Sequence, residues 1–95
     1  MNQEQAVSKL RAHEAELHRA GVAHLFLVGG PAAPEREGGV DLFLDSDNPR
    51  FSLIELADIQ DKVRAILGRQ SEVTTRDGLH PQLRPGIEAD ALCVF

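Results

Sequence analysis

Cysteine is nearly absent from this 95-residue chain, with Cys93 the only one. An internal disulfide is therefore excluded, and a lone thiol suits a reducing cytoplasm, the compartment expected. Cys93 lies in the apolar run ALCVF, where a small buried side chain rather than a nucleophile is expected. Long apolar runs are missing too. None approaches the roughly 18 residues needed to cross a bilayer, and MNQEQAVSKLRAHEAELH lacks the apolar core that a signal peptide carries. Positive charge is in short supply: 10 Lys and Arg stand against 15 Asp and Glu, for a net charge of -5. That balance argues against direct nucleic-acid binding. Repeats, low-complexity tracts and internal boundaries are also absent, so a single domain over 1–95 is expected.

What is present is a regular alternation of elements. Gln3 to Ala20 reads as a helix, with Asn2 to cap it, Gln5 three residues on, and Gly21 to end it. Its apolar stripe is narrow: Val7, Leu10, Glu14 and Leu17 fall near one face, with Ala6 beside them. His13 and His18 are five apart and do not share a face, so they do not form a metal pair. Val22 to Val28 reads as a buried strand, with His24 at its end or in the core. Val40 to Asp45 reads as a second strand, placing Asp41, Phe43 and Asp45 on one face and Val40, Leu42 and Leu44 on the other.

Ser52-Leu53-Ile54-Glu55 fits a capping box, and Leu53, Leu56, Ile59, Val63 and Ile66 follow at spacings of three and four. That helix should run to Leu67 and stop at Gly68. Ser71 to Thr75 reads as a short polar strand and Arg76-Asp77-Gly78 as a turn. Pro81 to Glu88 reads as a brief irregular helix, and Ala91 to Phe95 as a terminal strand. The order implies an α+β (mixed α/β) chain with one sheet and helices packed on it.

The centre of the chain is LFLVGGPAAPEREGGVDLFLD, Leu25 to Asp45: an apolar strand, a glycine turn, a polar loop, and a strand that carries acids. Pro31 is placed to open a short helical turn after Gly29-Gly30. A glycine turn lets backbone N–H groups approach phosphates. Carboxylates on one strand face, closed by another on a neighbouring strand, hold a divalent metal and help to activate a nucleophile.

These residues, together with FSLIELADIQDKVRAILGRQSEVTTRDGLHPQLRPGIEADA, resemble the minimal nucleotidyltransferases of the DNA polymerase β nucleotidyltransferase superfamily. The likeness runs over nearly the whole chain. It implies a nucleotidyltransferase-like small mixed sheet, nucleotide binding at Gly29 and Gly30, and metal binding and catalysis by Asp41 and Glu72. The cofactors it implies for a working site are ATP and Mg2+. The family's glycine is Gly29, but Gly30 replaces its serine and Ala33 its arginine. Asp41 matches the second aspartate of the family's Asp-x-Asp pair, Gly39 occupies the first position, and Glu72 stands for the third acid.

Each departure weakens the same chemistry. Gly30 removes a hydroxyl, Ala33 a guanidinium, and Gly39 one of two carboxylates two residues apart. Asp45 shares the Asp41 face but lies about 13 Å along the strand, too far to replace the missing acid. Nothing in the sequence requires Glu35 or Glu37 to fold back into that place. The resemblance therefore implies a pseudo-enzyme with an antitoxin-like role, bound to a helical HEPN-type toxin without any membrane contact. Two alternatives stay open: an active transferase that uses Asp41 and Glu72 to adenylylate a partner protein, and a stand-alone regulatory or structural domain, for which a homodimer is one form.

Overall fold

The computed structural model describes residues 3–29, 40–68 and 71–95. Helices α1 (Gln3–Ala12) and α2 (Glu14–Arg19) precede strand β1 (His24–Leu27). Then come β2 (Val40–Asp45), α3 (Leu53–Leu67), β3 (Ser71–Thr75), a 3-10 turn (Arg76–Gly78), α4 (Arg84–Asp90) and β4 (Leu92–Cys93). The strands form one mixed sheet in the order β3-β2-β1-β4. β1 is antiparallel to both β2 and β4, while β2 and β3 are parallel and joined through α3. A parallel pair needs such a crossover, and the helix supplies it.

Alternation along the strands makes two unlike faces. Leu25, Leu27, Leu42, Leu44 and Val73 point into a core closed by Ala6, Leu10, Leu17, Ile59, Val63 and Leu67 from α1 to α3. On the other face, Asp41, Phe43 and Asp45 stand on β2, opposite Phe26 on β1 and Glu72 on β3. We call this the open face, because α1 to α3 pack against the other one.

The first helix is broken where one straight helix is expected. His13 leaves helical geometry (φ -108°, ψ 19°), its N–H bonding to the Leu10 carbonyl (3.0 Å) while its carbonyl accepts from Leu17 N (3.0 Å). Glu14 lies outside, beside His18 (3.4 Å), and Leu17 is fully buried in the core.

β1 is shorter than the run Val22 to Val28, although Ala23 N to Asp45 O (2.7 Å) and Val28 N to Asp41 O (2.9 Å) carry its ladder beyond both ends. α3 starts with the expected capping box at Ser52 and Glu55 and ends at Gly68 in the left-handed conformation, φ 67°. A side chain there meets no clash, so the cost of Gly68→Ala is conformational. Thermal or urea unfolding is expected to show a loss of about 1 kcal/mol.

Three further expectations are corrected. Leu53 is not on the inner stripe of α3; at 100° per residue it lies about 120° from Ile59, and it is 82% exposed. Leu67 takes the inner position instead. The last helix begins at Arg84 rather than Pro81, with Pro85 in its first turn where a missing N–H costs nothing. Cys93 is exposed, not buried. β4 is an edge strand two residues long, and it is Val94 that turns inward, at 1% exposure.

Candidate active site on the open face of the sheet

The parallel pairing of β2 and β3 sets Asp41 directly beside Glu72. Neighbouring strands lie about 4.8 Å apart, and side chains at paired positions point to the same face. The two predicted acids are thus brought together at the start of their strands, Asp41 half-buried and Glu72 exposed. Among the described residues no group of three or more His, Cys, Asp or Glu could hold a metal ion. Gly30, Ala33, Glu35, Glu37 and Gly39 lie outside the described residues, as do the predicted turn at Pro31 and the EREGG loop.

Gly29 is buried just beyond β1. A Cβ added there would lie 3.0 Å from the Asp90 carbonyl oxygen and 3.6 Å from the Gln3 side-chain nitrogen. This glycine therefore has a packing reason, separate from any phosphate: it admits the C-terminal end of α4 against the end of β1.

The far end of the open face is occupied by Arg76. Its guanidinium forms a fork on Asp45, with Nε to Oδ1 at 2.8 Å and Nη2 to Oδ2 at 2.9 Å, and donates through Nη1 to Glu88 (2.8 Å). It also lies over the stacked rings of Phe26 and Phe43, 4.9 and 5.3 Å from their centroids. Arg84 bonds Glu88 through Nε (2.6 Å) and reaches Asp77 (3.4 Å). The Arg76 hydrogen bonds hold the Asp45 carboxyl below its ordinary value, against the opposing pull of burial. Hydrogen bonds from Arg84 first, and then Arg76, do the same for Glu88.

The sequence shows Arg76-Asp77-Gly78 only as a turn and does not point to Asp45 and Glu88, the acids that organise this cluster. Arg84 and Glu88 are four apart on one helix face, a signal that was legible. The Asp45–Arg76 fork joins residues 31 apart, and no local pattern announces it. Asp45 is thus part of a clamp rather than of the carboxylate pair.

No protein-family model matches the chain, and no curated protein does. A solved structure assigned as a minimal nucleotidyltransferase superposes with a TM-score of 0.77 and 20% sequence identity, over 97% of this chain and 95% of that one. The fold of this chain is that of a minimal nucleotidyltransferase, a mixed four-stranded sheet with helices. Among the described residues no helix is long and apolar enough to cross a membrane.

Proposed function

We propose that this nucleotidyltransferase-fold chain has lost, or severely weakened, metal-dependent transfer and acts as an antitoxin-like partner of a helical HEPN-type toxin. One observation carries the reading. The open face sets Asp41 beside Glu72, but the residue two before Asp41 in the sequence is Gly39, which supplies no carboxylate. Two acids stand where the resemblance implies three. The missing hydroxyl at Gly30 and guanidinium at Ala33 act in the same direction. ATP and Mg2+ therefore do not fit a complete transfer site here, and binding to another protein is the use left to the fold. A net charge of -5 suits the covering of a basic, RNA-cutting surface.

A second reading is favoured by the same register. Magnesium is commonly held by one or two carboxylates together with substrate phosphates, so Asp41 and Glu72 could support transfer to a partner protein without a third acid.

Calorimetric titration of ATP into the protein, with magnesium and again with EDTA, separates the two. The expected result is no binding heat in either condition. Magnesium-dependent heat that vanishes in both Asp41→Ala and Glu72→Ala would overturn the first reading in favour of the second.

A further inference from the structure

Away from the open face, the outward side of α3 gathers features that have no use within the chain. Leu53 and Ile54, in its first turn, are each 82% exposed. At 100° per residue, Ala57, Asp58, Asp61, Arg64 and Ala65 continue the same side of the helix, and all five are exposed. The Ser52–Glu55 capping box holds the start of this helix in place, so the apolar pair is presented on a fixed backbone. The charges on the helix are not balanced locally. Lys62 turns to Glu16 on α2 (3.8 Å), and Arg64 donates to the Ser71 carbonyl (3.3 Å), whereas Asp58 and Asp61 have no ion-pair partner among the described residues.

Large aliphatic side chains in water are disfavoured, and a contiguous apolar patch with a charged rim is the common signature of a protein contact. We infer that the outward side of α3 is a docking surface for a protein helix that offers apolar side chains flanked by lysine and arginine. Leu53 and Ile54 would enter between the apolar side chains of the partner. Asp58 and Asp61 would meet its basic flank and set the register of the two helices.

This inference deepens the partner-binding reading and rests on it. The chain also has a groove of about 530 Å³ between α1 and β4, lined by Val7, Arg11, Leu92 and Cys93 among others; it serves as the rival location in the test. The experiment titrates the full ¹⁵N-labelled chain with a synthetic amphipathic helix of about five turns, leucine on one side and lysine and arginine on its flanks. A peptide with glutamate at every basic position is the control.

The basic peptide is expected to shift the amides of residues 53–65 saturably, and the acidic one to leave them unmoved. Leu53→Ser with Ile54→Ser is expected to keep a dispersed spectrum and to weaken binding about 30-fold, as loss of a central apolar anchor does. Asp58→Asn with Asp61→Asn is expected to weaken binding and to flatten its salt dependence. Shifts centred on Val7 and Leu92, equal binding of both peptides, or no saturable binding of the basic one would overturn the inference. Magnesium-dependent ATP binding, read in the separate calorimetric titration, would overturn the pseudo-enzyme reading and leave this map intact.

Discussion

Arg76→Ala is expected to lower the unfolding free energy by about 3 kcal/mol and to loosen α4 from the sheet. The substitution removes a two-bond fork on Asp45, a bond to Glu88 and the cation above Phe26 and Phe43 in one step. It also leaves the half-buried Asp45 carboxylate without its cation. α4 buries no residue of its own, so its position depends heavily on the link from Glu88 to Arg76. Arg76→Lys is expected to recover little, because an ammonium cannot span both Asp45 oxygens or lie flat over the rings. Urea unfolding gives the magnitude, and hydrogen exchange in residues 84–90 reports on α4. A loss below about 1 kcal/mol would reduce the clamp to an ordinary surface ion pair.

The same variant should change the acid side of the stability profile. The Asp45 pKa is lowered in the folded protein, chiefly by the Arg76 hydrogen bonds. A carboxyl with a lowered folded pKa adds stability that is fully present above its unfolded value, about 3.9 for aspartate, and lost as pH falls through the folded value. The native protein should therefore lose stability below about pH 4. Arg76→Ala should show a shallower loss over that range, with the Arg84–Glu88 pair still contributing. An unchanged acid slope would mean that Asp45 is not held by Arg76 in solution.

Gly39→Asp, combined with Gly30→Ser and Ala33→Arg, is expected to create magnesium-dependent ATP binding that EDTA abolishes. At 4 Å and an effective dielectric near 20, a pair of unit charges is worth about 4 kcal/mol gross, and a divalent ion feels more. Water already solvates the free ion, so only a fraction survives as net affinity. At about 1.4 kcal/mol per tenfold, that fraction still amounts to about a hundredfold or more in the apparent dissociation constant. Asp41 and Glu72 already stand side by side. Calorimetry on the folded triple variant provides the test. No magnesium-dependent heat would show that these three positions are not what separates this chain from a working site.

The sequence by itself determined the features that depend on near neighbours along the chain. The period-two pattern from Val40 to Asp45 separates the two faces of β2. Ser52, Glu55 and Gly68 mark the ends of α3, because a capping box and a left-handed stop are decided within four residues. The resemblance to minimal nucleotidyltransferases was legible in the glycine turn, in Asp41 and in the order of elements, and the superposed structure bears out that fold.

Tertiary structure decided what depends on which segments meet. Only the parallel register sets Asp41 beside Glu72, and only that register lets Arg76 reach back to Asp45. The break at His13 is also a feature of the folded chain that periodicity alone does not show. Cys93 is exposed because β4 is an edge strand with Val94 facing inward, and an apolar run does not reveal which of its residues will turn in. Gly29, read as a phosphate turn, owes its small size at least in part to the Asp90 carbonyl. That oxygen belongs to the last turn of α4, far along the chain, and only the fold brings the two together.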